Sequence, residues 1–136
     1  MFTDKQLKQS NIKIGVIGED IACDILKKKG FNILFRNYKT KFGEIDIAAK
    51  HKDGRLSLIE VKAMRRGELS PEDNFSSNKR HKFARIVEVF VAKHPELIDE
   101  EKGYQMDLIA ITINNVGEDI LTNYNRYCEI KYYENV

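Results

Sequence analysis

Glu44, Asp46, Glu60 and Lys62 stand among the apolar residues of the stretch GEIDIAAKHKDGRLSLIEVK, residues 43–62. The rest of that stretch is apolar enough to read as two strands joined by a tight turn. Strand side chains alternate between two faces. Alternation places Ile45, Ile47 and Ala49 on one face and Glu44, Asp46 and Ala48 on the other. In the second strand Ile59, Val61 and Ala63 share a face, opposite Leu56, Leu58, Glu60 and Lys62. The turn decides whether the acids meet. A two-residue Asp53-Gly54 turn sets Asp46 against Val61 and separates the carboxylates. A three-residue Lys52-Asp53-Gly54 turn, with Gly54 left-handed in a bulge, pairs 51 with 55 and sets Asp46 beside Glu60 and Glu44 beside Lys62. Both turns are chemically allowed. The three-residue turn is expected, because it leaves each strand one consistently apolar face.

In that register the Cβ atoms of Asp46 and Glu60 lie about 5 Å apart. Carboxylates that close repel, and one takes up a proton unless a cation intervenes. An all-oxygen site of this kind suits Mg²⁺ or Mn²⁺, which keep waters for chemistry. Lys62 lies about 6.6 Å beyond Glu60 on the same face, within reach of an activated water or an anionic substrate. The competing interpretation is a solvated cross-strand cluster in which Glu44 pairs with Lys62.

Two helical segments bring further charges toward this hairpin. Residues 11–29 carry a helical pattern closed by Gly30 after three lysines, preceded by a polar lead-in over residues 1–10. Lys13, Asp20, Asp24 and Lys27 form its polar arc. Gly15, Gly18 and Ala22 lie in the middle of the other arc, where small residues permit close approach to a sheet. Glu19 falls inside that apolar arc, flanked by Ile12, Val16, Cys23 and Leu26. A carboxylate there needs a partner. Either it sits at the rim of the core and reaches a lysine, or it joins the acidic cluster.

A second helix is expected over residues 78–94, capped by a Ser or Asn of SSN and ended by Pro95. Phe83, Ile86, Val87, Phe90 and Val91 form its buried stripe, and Lys79 extends the stripe into the first turn. A cation there opposes the helix dipole, which a bound phosphate would reverse; a lysine reaching out to solvent is the alternative. Arg80, Lys82 and Arg85 continue the basic character, and Arg65 and Arg66 follow the hairpin directly.

Further strands are expected over residues 31–39 and 104–113, with one or two more in 120–133 and a polar loop over 64–77. The order helix, three strands, helix, strand gives a mixed sheet with helices packed on it. The 136 residues suit one domain. With 42% hydrophobic and 32% charged residues the chain is globular, and its net charge of +2 leaves basic patches to local clustering. Cys23 and Cys128 have no CxxC spacing and read as reduced buried thiols. The polar start and the shortness of every apolar run argue against a signal peptide and a membrane span, so a cytoplasmic location is expected. No GxxxxGK[ST], HExxH or CxxC pair is present.

Asp46, thirteen intervening residues, then Glu60-Val61-Lys62 resembles the PD-(D/E)XK nuclease superfamily. GVIGEDIA, ILFRN, GEIDIAA, IEVK, NKRHKFAR and MDLIAI together resemble the YraN-like family of small bacterial proteins, which is similar to archaeal Holliday junction resolvases. The resemblance covers nearly the whole chain. It implies a restriction-endonuclease-like mixed β-sheet flanked by helices, in the order α-β-β-β-α-β-β. It also implies a metal-dependent endonuclease acting on structured or branched DNA by phosphodiester hydrolysis. By resemblance, Asp46 and Glu60 are metal ligands helped by the Val61 carbonyl, Lys62 is the catalytic lysine, Glu19 the helical acid and Lys79 the lysine of the second helix. The nucleic-acid-binding set is Arg65, Arg66, Lys79, Arg80 and Lys82, the cofactor Mg²⁺ or Mn²⁺, and the partners DNA and a second copy of the chain. The rival expectations are a nucleic-acid-binding protein that cuts only within a complex, and an interaction module using LIAITI or the tyrosine-rich tail. The chain departs from the pattern at Ile45, where the superfamily has proline, at Lys82, where arginine is usual, at Met106, where phenylalanine is usual, and in VKAMR, which moves the following basic residue to Arg65.

Overall fold

The computed structural model describes the backbone of residues 4–136 and the side chains of residues 13–136. Helix α1 (Asp4–Lys28) leads into strands β1 (Asn32–Thr40), β2 (Gly43–Lys50) and β3 (Leu56–Arg65). A single-turn helix α2 (Pro71–Asn74) and the long helix α3 (Ser77–Lys93) then carry the chain to β4 (Tyr104–Ile113). A second short helix, α4 (Tyr124–Tyr127), precedes β5 (Cys128–Tyr133). The five strands form one sheet in the order β1-β2-β3-β4-β5. All neighbours are antiparallel except β3 and β4, which run parallel with α3 in the crossover between them. This is the mixed α/β sheet expected from the order of patterned segments.

Each face of the sheet buries one long helix. Ile14, Ile17, Ile21 and Leu26 of α1 pack on Ile47, Ala49, Ile59, Ile109 and Ile111. Phe83, Ile86, Val87 and Phe90 of α3 pack on Ile45, Ala48, Leu56 and Leu58. Strand β4 is therefore covered on both sides, which is why LIAI is a continuous apolar run instead of an alternation. Asp107 is the charged residue within that burial. Fully buried on β4, it accepts hydrogen bonds from Gln105, from the Tyr132 hydroxyl at 2.6 Å and from the Asn135 backbone, and so ties the chain end to the sheet. No helix among the described residues is long and apolar enough to cross a membrane.

Four boundaries differ from the sequence expectation. Helix α1 begins at Asp4, so residues 4–10 continue the helix instead of forming a lead-in, while residues 1–3 lie outside the described part. The loop after β3 contains α2, because Ser70 accepts the Asp73 N–H as an N-cap and Pro71 fits the first helical position. In the segment 120–133 only Cys128–Tyr133 is strand, and YNRY turns as a helix before it. Helix α3 starts one residue early, with Ser76 accepting the Lys79 N–H at 3.3 Å.

The β2–β3 hairpin has the three-residue turn. His51 N–H donates to Arg55 at 2.8 Å, Gly54 N–H donates to His51 at 3.0 Å, and Gly54 takes φ 98°, a region that favours glycine. Ile47 pairs with Ile59 and Lys50 with Leu56, which is the register that points Asp46 at Glu60. The pairing ends at Ile47–Ile59, however, and the faces are not those of an unbroken strand. Ile45 lies in the α3-side core with Ala48, while Ile47 and Ala49 lie in the α1-side core. The expectation that Ile45, Ile47 and Ala49 share a face is thus corrected. Alternation breaks at Asp46 on β2 and, across the ladder, at Asn37 on β1. Asn37 sits between the pairs Arg36–Ile47 and Tyr38–Ile45 and takes φ 54°.

Candidate functional site

The break in alternation frees Asp46 from both cores and turns its side chain toward β3. Its carboxylate, only 6% exposed, accepts the Val61 N–H at 2.8 Å, a position a strand carbonyl would otherwise fill. Glu60, which precedes Val61 on β3, stands beside the same carboxyl, and its contact and charge raise the affinity of Asp46 for a proton.

Glu19 arrives from α1 because Gly18 lets the helix touch the sheet. A Cβ at Gly18 would lie 2.5 Å from the Ala63 Cβ, a separation no side chain tolerates. Gly15 does something different from the close packing expected of it. Nothing lies within 4 Å of the place its Cβ would take, and it lines the open side of the cleft. Glu19, Glu44 and Asp46 each present a carboxylate oxygen within 4.8 Å of the other two. Glu19 therefore turns into the cluster, which decides between its two sequence interpretations.

Glu44 is the residue that sequence reasoning left out of the site. Face alternation assigned it to Lys62, yet among the described residues Glu44 forms no ion pair and its carboxylate faces Glu19 and Asp46. Arg36 and Asn37 were also missed as positioning groups. The Arg36 guanidinium lies 2.8 Å from Asp20 and 4.0 Å from Glu19. With its amide nitrogen turned inward, Asn37 donates to both Glu19 oxygens at 3.3 and 3.0 Å. The available signal was a polar RN pair inside an otherwise apolar strand, ILFRNY.

Burial and the crowding of acids together disfavour the charged carboxylates. Burial first, and then the Asp46 and Glu44 charges, push the Glu19 carboxyl up to about 7, with Arg36 and Asn37 pulling the other way. Burial, followed by the Glu60 hydrogen bond and charge, holds Asp46 well above the usual carboxylate range, against the Val61 N–H. Such a site favours whatever brings positive charge to it. The donors are all oxygens from three separate elements, a set that fits a hard divalent cation with open water positions. Asp46, Glu60 and the Val61 carbonyl are the expected ligands; the carboxylates that lie within 4.8 Å of one another are those of Asp46, Glu44 and Glu19.

A cleft of about 410 Å³ holds this cluster together with Lys62, Lys79 and Lys82. Lys62 is half-buried on β3 beside Ala110, and Lys79 and Lys82 project from the first turns of α3. The Lys79 ammonium donates to Asn74 of α2, which anchors it at the rim. Arg80 is exposed on the same helix. Arg65 and Arg66 line a second cavity of about 250 Å³, together with Glu68, Glu72, Glu129 and Lys131. Arg65 lies 3.8 Å from Glu68, and Arg66 lies 3.5 Å from Glu129. The structure thus brings Glu19, Asp46, Glu60, Val61, Lys62, Lys79 and Lys82 to one cleft, and places Arg65 and Arg66 at another.

The model of the family described as "Uncharacterised protein family UPF0102" matches residues 18–111, which contain every residue of this cleft except Gly15. A UPF0102 protein of Campylobacter lari is 40% identical over 102 residues, covering 75% of this chain and 86% of the relative. One of Campylobacter jejuni is 42% identical over 97 residues, covering 71% and 81%. One of Dictyoglomus turgidum is 36% identical over 110 residues, covering 80% and 90%. Matched over most of its length by the family and by these relatives, the chain belongs to UPF0102, the YraN-like family.

Proposed function

We propose that the protein is a metal-dependent endonuclease that hydrolyses phosphodiester bonds of structured or branched DNA. The observation that carries this reading is the convergence of Glu19, Glu44, Asp46, Glu60 and Lys62 on one cleft whose rim bears Lys79 and Lys82. A structural acid cluster would be expected to meet its cations within the cluster. Here the cleft is lined by four carboxylates and three lysines, and among the described residues the one ion pair to those carboxylates is that of Arg36 with Glu19, at 4.0 Å.

Asp46, Glu60 and the Val61 carbonyl would hold Mg²⁺ or Mn²⁺, with Glu44 and Glu19 neutralising what remains of its charge. When bound, the ion would polarise the scissile phosphoryl group and acidify the attacking water. Lys62, one strand step beyond Glu60, would orient that water or stabilise the charge that develops on the phosphoryl oxygens. Asp46 is fixed by the Val61 N–H, and Glu19 by Arg36 and Asn37, so the carboxylates are positioned before any ligand arrives. Lys79, Arg80 and Lys82 would hold the phosphate backbone without reading base sequence. The preference for branched DNA rests on the likeness to junction resolvases.

The test is incubation of linear, nicked, flapped and four-way-junction DNA with the protein and Mg²⁺ or Mn²⁺. The reading predicts cleavage of at least one structured substrate that EDTA abolishes. Tight, salt-dependent binding without cleavage would favour a non-cutting subunit, and absence of binding at low salt would refute both.

A further inference from the structure

Phe42 is 58% exposed at the tip of the β1–β2 hairpin, although it is among the largest apolar side chains of the molecule. Its turn is rigid. Thr40 Oγ1 accepts the Phe42 N–H at 3.1 Å and donates to the Gly43 carbonyl at 2.8 Å. Gly43 takes φ 141°, and a Cβ there would lie 2.7 Å from Ile86 Cδ1 of α3, so the turn is pressed against that helix. Between Phe42 and the α3 residues Lys82, Arg85, Glu88 and Val89 lies a groove of about 440 Å³. Lys82 lines both this groove and the acidic cleft, so the two adjoin at that side chain. Lys39 and Lys41 flank Phe42 on the hairpin, both exposed.

From this placement we infer that Phe42 is a stacking platform for an unpaired nucleobase next to the scissile phosphate. An exposed ring with no core role, held on a rigid turn, offers a face on which any base can stack. Lys82 and Arg85 line the groove against the single acid Glu88, and the exposed Lys41 precedes Phe42 in the turn, a balance that suits a phosphate backbone and that opposes a second copy of the same surface. Val89 lines the groove beside Phe42, so a base extruded from a duplex would find an apolar wall, and its phosphates would meet Lys82 and Arg85. A base inside an intact duplex presents no face to Phe42. The platform thus selects DNA with unpaired nucleotides, and this deepens the nuclease reading by stating which feature of a structured substrate is recognised.

The test compares the parent, Phe42→Ala and Phe42→Trp, without divalent metal and at low salt, on a labelled single strand of about 12 thymidines and on a matched blunt duplex. Base–aromatic stacking is worth about 1–3 kcal/mol per base, so Phe42→Ala should weaken single-strand binding by about 5–150-fold and leave duplex binding unchanged. Phe42→Trp should restore affinity. The chain contains no other tryptophan, so quenching of its fluorescence on adding the single strand reports the contact directly. Equal affinity of Phe42→Ala and parent, an unquenched Trp in a saturated complex, or failure of the parent to bind the single strand would each overturn the inference. So would a shift from dimer to monomer in Phe42→Ala with strand affinity unchanged, since the ring would then be a contact between copies. If stacking is found and no substrate is cut, the hydrolytic reading fails and this inference stands; cleavage by the parent with no effect of Phe42→Ala on binding gives the reverse.

Discussion

Asp46→Asn should stabilise the metal-free protein, the opposite of what loss of a buried hydrogen-bonded carboxylate usually does. The amide keeps an oxygen to accept the Val61 N–H, whose bond to Asp46 is 2.8 Å, and it fits the same space. What it removes is charge. Carboxylate oxygens of Glu19 and Glu44 lie within 4.8 Å of Asp46. Two unit charges at that separation repel by about 3 kcal/mol at an effective dielectric of 20. Protonation within the cluster caps the gain, so about 1–2 kcal/mol is expected at pH 8, or about 3–10 °C in melting temperature for a chain of this size. The parent should respond strongly to metal. A divalent cation at 100 times its Kd adds about 2.7 kcal/mol, and the variant at the same concentration should gain little. Thermal denaturation of both proteins with EDTA and with Mn²⁺ measures all four values. A lower metal-free melting temperature for Asp46→Asn, or equal metal stabilisation of the two proteins, would refute the reasoning and mean that Asp46 belongs to an already balanced ion-pair network.

Lys62→Met, which keeps the aliphatic stem, should leave metal and DNA affinity near parental values and slow single-turnover cleavage by about 10²–10³-fold; parental cleavage rates would reduce Lys62 to a lysine of the rim. Gly18→Ala should lower the melting temperature even though alanine is favoured in helices by about 1 kcal/mol, because its Cβ would meet Ala63 at 2.5 Å and overpacking costs about 1–3 kcal/mol. The Glu19 carboxyl is raised from 4.5 to about 7, so the folded metal-free protein holds that proton more tightly than the unfolded chain. Its contribution to stability is complete below about pH 4.5 and is lost as the pH rises through about 7. Glu19→Gln should therefore be more stable relative to the parent at pH 8 than at pH 5 when EDTA is present, a difference that vanishes if Glu19 titrates as an ordinary exposed carboxylate.

The turn residues allowed two hairpin lengths, and the register that aims Asp46 at Glu60 was legible only through the expectation of one apolar face per strand, which holds on β3 and breaks on β2 at Asp46. Glu19 was legible only as an alternative, since a helical wheel shows that a carboxylate faces the sheet without showing what it meets. Glu44 was not legible. A period of two carries every later residue to a fixed face, and nothing local announces that β1 and β2 twist together at Asn37 and Asp46. That twist places Ile45 under α3 and Glu44 beside Glu19, so the same irregularity defeats the face assignment and builds the site. Arg65 and Arg66 show the reverse failure. They follow the hairpin in sequence, but β3 continues straight to Arg65 and carries them past the cleft to the acids Glu68 and Glu129.

The most direct measurement of the central claim is strand cleavage by parent and Glu60→Gln proteins purified side by side and given the same flapped and four-way-junction DNA with Mn²⁺. The account predicts discrete products from the parent, none with EDTA, and at least a hundredfold less from Glu60→Gln at equal folded concentration, the scale typical of losing one group that supports the transition state. Equal cleavage by the two proteins would show that the activity comes from elsewhere, and no cleavage by the parent of any of these substrates would contradict the assignment of the cleft as a nuclease site.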